Sequence, residues 1–388
     1  MLASTLAAVA GGSLADAQTA GSTSAPSGIS TTQAPQAGAT ASPVEVTASR
    51  GTQNRTLVCI YLLGGSDGNS MIAPLEPSQY KAYAAARGAL ALMTEALLPI
   101  NDGGTGARYG LDPRLSELQK YFQAGSAAVI ANMGGPVRPT AASRYESLRF
   151  LRDAYVIPEW AARAAGSRTG DDAAFTFRQG VTLVPLGNST FQGERRKNPE
   201  LIEKIDACSF RTSFPDTMAG KMMRTVAGLL KTCDVAGSNA GQVAFCTMNG
   251  FGPSPAQTIS QSPLLHELSS AMAALYEATV EMGIADGVTI YTDSEYGRTL
   301  RPNDRHTAGP GWGNHHFVLG GAVRGGRIYG TFPDMIHGPF DTDSAMIPTT
   351  SQAQYQAALA AWAGVSANNL ATVVPGFDGK PAPGFLPA

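Results

Sequence analysis

Apolar residues in this chain gather in short unbroken runs. The first, Thr56-Leu-Val-Cys-Ile-Tyr-Leu-Leu63, is closed by Gly64-Gly65, and similar runs follow at Ala127–Met133, Val243–Met248, Val288–Thr292 and Phe317–Val323. A run without polar alternation predicts a strand covered on both faces, as in a parallel sheet. Helical stretches separate the runs. The clearest opens at Ser262-Pro263, a capping residue followed by proline at the first helical position. Leu265, Leu268, Met272 and Leu275 then recur at helical spacing, and Gly283 ends the stretch. A further helix is expected around Tyr355–Ala363. Strands separated by helices predict an α/β fold with a mostly parallel central sheet. Residues 136–232 are less regular and richer in charge, which suggests an insertion or cap over one sheet edge. No fixed-period repeat interrupts this plan.

The two ends have a different composition. Residues 1–17 are small and apolar and finish on Ala15-Asp16-Ala17, an A-x-A-like cleavage signature, so they look like the remnant of a secretory signal. The first basic residue is Arg50. We therefore expect Met1 to be internal, with a charged leader upstream, twin-arginine being the candidate, and the protein to be exported to the periplasm or beyond. Residues 18–52 are rich in Ser, Thr, Ala, Gly and Pro, with too little apolar surface to offset ordering entropy; they are expected to be a disordered tether. The ordered domain is placed at 53–377 and a Pro- and Gly-rich tail at 378–388.

Composition narrows the partners. A net charge of -2 gives no electrostatic reason to expect nucleic acid, and no apolar run reaches the roughly 20 residues of a membrane span. The expected partner is a small molecule or another exported protein. Of the four cysteines, Cys59 lies in an apolar run and reads as a buried side chain, while two of Cys208, Cys233 and Cys246 could pair in an oxidising compartment. Cys233–Cys246 is the pairing we expect. With no CxxC, a thiolate zinc site is not expected.

Candidate chemistry belongs in loops leaving the carboxyl ends of strands. Gly64-Gly-Ser-Asp67-Gly-Asn69 follows the first strand, and its glycines would let the chain turn sharply and present Asp67. Tyr291-Thr-Asp293-Ser-Glu295-Tyr-Gly297-Arg298-Thr299 brings polar groups to another strand end. Gly311-Trp-Gly-Asn314-His315-His316 runs into a third strand. Adjacent histidines on a strand point to opposite faces, so only one of His315 and His316 can share a site with Asp67 and Glu295. His266, His306 and His337 read as surface or loop residues.

These segments together resemble the bacterial family called Domain of Unknown Function 1501, which belongs with the alkaline phosphatases and sulfatases. The resemblance runs from about Thr56 to Phe377. It rests on Leu62-Leu-Gly-Gly-Ser-Asp-Gly-Asn-Ser-Met-Ile-Ala-Pro74, Leu98-Pro-Ile100, Ala131-Asn-Met-Gly134, Arg138-Pro-Thr140 and Ser294-Glu-Tyr-Gly-Arg-Thr299. Gly313-Asn-His-His-Phe-Val-Leu-Gly-Gly-Ala-Val-Arg-Gly-Gly326 and Ile347-Pro-Thr-Thr350 complete it. The resemblance implies an alkaline-phosphatase-like three-layer sandwich and twin-arginine export. It also implies a Ser or Thr nucleophile beside two divalent cations held by Asp and His, because a cation must ionise the hydroxyl and offset charge on the transferred group.

On that pattern Asp67 and Glu295 survive as metal-ligand candidates, with His315 and His316. Elsewhere the pattern fails. Gly252-Pro253-Ser254 stands where Asp-Thr-His is implied, Gly309-Pro310 where Asp-His is implied, and Leu151-Arg152 where Ser-His is implied. Each of about four ligands in a structural zinc site is worth roughly 3 kcal/mol, so losing four would abolish tight binding. His306, Asp304 or Asp293 could be recruited only in new geometry. The leading expectation is a non-catalytic exported protein with a degenerate site, using no cofactor or a weakly bound Ca²⁺, Mg²⁺ or Zn²⁺ rather than a metal pair. Without cations, Asp67 and Glu295 would face one another across a cleft and be solvated, share a proton, or hold that ion. The rival expectation is a hydrolase of phosphate or sulfate esters with a rearranged site. Its nucleophile would be Thr140 or Ser143, and Arg298 or Arg144 would clamp the oxyanion. A purely structural partner of another exported protein is the third.

Overall fold

The computed structural model describes residues 55–135, 159–164, 175–176, 181–185, 199–232, 241–252, 257–304 and 306–387, all within one compact unit, Pro43–Ala388. Strands β1 (Thr56–Leu62), β2 (Ile72–Pro74), β3 (Leu98–Asn101), β4 (Arg108–Leu111) and β5 (Ala127–Gly134) come first. Next are β6 (Phe175–Thr176), β7 (Thr182–Pro185), β8 (Gln242–Met248), β9 (Val288–Asp293) and β10 (Arg298–Pro302). The series ends with β11 (Ala308–Pro310), β12 (Asn314–Gly320), β13 (Ile328–Tyr329) and β14 (Thr350–Ser351).

The main sheet has the order β13-β5-β12-β9-β1-β8-β7-β6, with β14 pairing alongside β5. β1 runs parallel to both β8 and β9. Alternate residues of β1 explain its unbroken apolarity. Val58, Ile60 and Leu62 enter one core with Leu268, Met272 and Leu275 of the helix Gln257–Glu281 and Met222 and Val226 of the helix Met218–Thr232. Leu57 and Cys59 enter the other with Trp160, Leu359 and Trp362, the last two on the helix Gln352–Trp362. A mostly parallel sheet covered by helices on both faces is a three-layer α/β sandwich.

Several expectations need correction. β12 is covered on both faces, as its sequence predicts, but runs antiparallel to β5 and β9, because burial on two faces does not dictate strand direction. The helix expected to start at Ser262-Pro263 starts at Gln257, and Pro263 lies inside it. The proline gives up an N–H there, a loss that packing of Leu265, Leu268 and Met272 offsets. The segment expected as a tail is docked: Phe385 is fully buried against Tyr355 and Tyr329, and Arg324 N–H donates to the Phe385 carbonyl. Cys246 is a free thiol buried in the core, and Cys233, its expected partner, lies outside the described residues. Of the region 136–232, β7 and β6 do extend one sheet edge, but the helix Met218–Thr232 packs on the sheet face as part of the main core. Two small antiparallel sheets, β2-β4-β3 and β10-β11, were not legible from periodicity. Among the described residues, no helix is long and apolar enough to cross a membrane.

Candidate functional site

Because β1, β8 and β9 are parallel and in register, Leu62 beside Met248 and Tyr61 beside Asp293, the segments that leave them emerge at one edge. Here Gly64-Gly65 meets Phe251-Gly252 and Ser294–Arg298. Both glycines have positive φ, +106° and +80°. A Cβ on Gly64 would lie 2.4 Å from the Gly252 nitrogen, and one on Gly65 would lie 2.2 Å from the Tyr296 ring. Neither position admits a side chain.

Two side chains three residues apart satisfy the whole Gly64-Gly65 backbone. The N–H groups of Gly64 and Gly65 donate to the Glu295 carboxylate, each at 3.0 Å to Oε2, with a 3.1 Å contact from Gly64 to Oε1. On the other side, Arg298 donates from Nε to the Gly65 carbonyl at 2.6 Å and from Nη2 to the Gly64 carbonyl at 2.5 Å. Nη2 also reaches the Phe251 carbonyl at 2.8 Å. The Arg298 side chain is fully buried and its guanidinium stands over the Tyr296 ring. It therefore folds the loop, with its donors turned to backbone carbonyls. Burial raises the Glu295 carboxyl pKa, opposed by the two glycine N–H groups and Arg298.

Asp67 lies a few residues on and is also fully buried. Its Oδ2 accepts from Arg87 Nη2 at 2.7 Å, Gln257 Nε2 at 2.6 Å and Ser70 Oγ at 2.9 Å. Arg87, the last residue of the helix Pro77–Arg87, is 0 % exposed, so the pair is shielded from water on both sides. Gln257 continues the network, its Oε1 accepting from the Ala308 N–H. Asp67 and Glu295 are thus not two bare carboxylates facing one another. A guanidinium meets the first and backbone N–H groups meet the second.

The histidines divide as strand geometry requires. His315 turns toward the Asp67 loop, its Cδ2 packed against Gly68 and its ring stacked on Phe332 at 4.8 Å. Its Nδ1 accepts from the Asn132 N–H at 3.1 Å, which assigns the proton to Nε2, a buried donor with no partner among the described residues. Asp67 Oδ1 is likewise buried without a partner among the described residues. His316 turns to the opposite face, beside Thr292 Oγ1 and the Tyr355 ring. Burial pushes His315 down to about 4 and His316 down to about 3, so both are neutral near pH 7. On His316's face, Asp293 accepts from the Ser294 N–H and from Gln352, and burial lifts it to about 7. Asp304 and His306 are exposed. Thr140, Ser143 and Arg144 lie outside the described residues.

Sequence reasoning overlooked Arg87 and Gln257, and it named Asn314 in a candidate loop without giving it a role. Asn314 ties three segments together, accepting from Gly68 N–H and donating to Ser66 and Ser294. An arginine closing an Ala-rich helix gives no local signal; asking what balances Asp67 would have been the only route to it. Gly252, where a metal-binding side chain is implied by the resemblance, borders Gly64, and Gly309 adjoins the Ala308 that Gln257 reaches.

The family comparison covers the stretch carrying Gln257, Asp293, Glu295, Arg298, Asn314, His315 and His316. Residues 254–345 match the family described as Protein of unknown function (DUF1501). Asp67 and Arg87 lie outside the span of that DUF1501 match. No curated protein matches the chain.

The carboxylates named as metal-ligand candidates are engaged by donors of the protein itself. Asp67 Oδ2 and both Glu295 oxygens already accept, and His315 presents a proton rather than a lone pair at Nε2. Among the described residues, no three of His, Cys, Asp and Glu group closely enough to hold a metal ion.

Proposed function

We propose that this is an exported, alkaline-phosphatase-like protein whose ester-cleaving centre is silent and whose fold is retained for binding or assembly. One observation carries the reading: the guanidinium of Arg87 sits 2.7 Å from Asp67, both fully buried, so the charge of Asp67 is matched by a side chain of this chain without a metal ion. A dication held about 5 Å from that guanidinium would meet repulsion of about 7 kcal/mol at an effective dielectric of 20. That is about the worth of two zinc ligands. Arg298 supports the same reading, since its donors hold loop carbonyls where a catalytic arginine would offer them to an oxyanion. Export is supported by the A-x-A-like pattern at Ala15-Asp16-Ala17 and the polar tether behind it. The partner is a small molecule or another exported protein.

Elemental analysis of the purified protein is the test. Stoichiometric Zn²⁺ or Mn²⁺ at two sites would sink the proposal. So would turnover of aryl phosphate or sulfate esters that Thr140→Ala, Ser143→Ala or Asp67→Ala abolishes. Cell fractionation tests the export half, and recovery wholly from the cytosol would remove it.

A further inference from the structure

Glu295 has a second aspect once its surroundings are read as a binding site. Two successive N–H groups converge on one carboxylate, at 3.0 Å each to Oε2, from two glycines of positive φ. Converging backbone donors of this kind form an anion-binding concavity. Positive charge lies directly behind, since Arg298 holds the carbonyls of the same two glycines. Asp67 and Arg87 cancel one another nearby. Unlike those three buried residues, Glu295 and Gly64 are partly exposed. Its carboxylate approaches from a separate segment, 231 residues along the chain from Gly64.

We propose that the Gly64-Gly65 turn is a carboxylate-binding site and that Glu295 is its tethered, displaceable occupant. The ligand class follows from the occupant. Both oxygens of a planar carboxylate are used, Oε1 and Oε2 each accepting from Gly64 and Oε2 also from Gly65. A small carboxylate entering there reproduces those bonds and releases the Glu295 side chain to solvent. This rests on the silent-centre reading, because it gives the cleft an anion held by backbone in place of an ester held by metal.

The test uses the full chain, dialysed against chelator, with Glu295→Ala to vacate the turn. Formate is the probe, compared with chloride at equal ionic strength. If formate binds the variant with a Kd of about 1 mM, about 0.1 M formate raises its Tm by about 4 °C, while the native protein moves by less than about 1 °C. Glycine-selective ¹⁵N labelling should show the Gly64 and Gly65 amides shifting with formate in the variant. If Glu295→Ala does not fold in chloride, refolding yield with and without formate is the readout, and equal yields overturn the proposal. No formate-dependent change in Tm or in the glycine amides also overturns it, as does a response to sulfate alone. Metal in the native protein would instead overturn the silent-centre reading, so the two failures are distinguishable.

Discussion

Replacing Arg87 by methionine removes the charge while keeping most of the side-chain volume. In the native fold both members of the Asp67–Arg87 pair are 0 % exposed, so the variant leaves a carboxylate in the core with Ser70 and Gln257 as its remaining donors. Breaking a buried pair from one side costs about 3–5 kcal/mol, mostly the penalty of the stranded charge. With about 2.1 cal/mol/K of unfolding entropy per residue, a domain of this size loses about 1.5 °C per kcal/mol, so Tm should fall by about 4–7 °C. The double variant Asp67→Asn, Arg87→Met should recover a good part of that loss, because no charge is stranded. Arg87→Met should also bind divalent cations better than the native protein, since the repelling guanidinium is gone. Thermal unfolding with and without millimolar Mg²⁺ or Zn²⁺ measures both effects. The reasoning fails if Arg87→Met is as stable as the native chain, or if the double variant is less stable than the single one.

Asp293 gives a pH-dependent prediction. Burial lifts it to about 7, so between about pH 4 and 7 the folded state keeps a proton that the unfolded chain releases. Its contribution favours folding at low pH and is lost as pH rises toward 7; Asp293→Asn should therefore gain on the native protein between pH 4 and pH 8, by up to the order of 4 kcal/mol. Urea denaturation at both pH values checks this, and a constant difference would contradict it. Phe385→Ala should cost about 3–5 kcal/mol, because its ring is buried between Tyr355 and Tyr329. A change below about 1 kcal/mol in the same assay would mean residues beyond 377 do not stabilise the domain. Cys59 and Cys246, free and buried, should resist alkylation until the protein unfolds, with Cys208 labelled before either of them; mass spectrometry of peptides after timed alkylation reads this directly.

The three-layer plan was legible because unbroken apolar runs report burial on two faces, and β1, β5, β8 and β9 fall where those runs do. What the runs do not report is direction, so the reversed β12 was hidden. The split between His315 and His316 followed from the period of two along a strand. Burial of Phe385 was hidden for the opposite reason: a Pro- and Gly-rich stretch shows no periodicity, yet one aromatic ring is enough to dock it. At the site, sequence placed Asp67 and Glu295 on loops at one sheet edge but could not give their partners. Arg87 meets Asp67 through the fold, and backbone N–H groups, which no sequence pattern displays, meet Glu295.

That last point bears on how Ser294-Glu-Tyr-Gly-Arg-Thr299 should be weighed. Read as chemistry, an acidic residue and an arginine three positions apart suggest a metal ligand and an oxyanion clamp. Both have a sufficient role without catalysis, because they satisfy the two N–H groups and two carbonyls of Gly64-Gly65. Leaving even one such buried donor or acceptor unpaired costs about 1–3 kcal/mol. A turn of two glycines has the greatest backbone entropy to lose and offers no side chains of its own to stabilise it. The pair is therefore expected wherever this turn must be rigid, whether or not a reaction follows. The presence of the motif argues for the loop's geometry, and evidence for turnover has to come from elsewhere in the cleft, where Arg87 argues the other way.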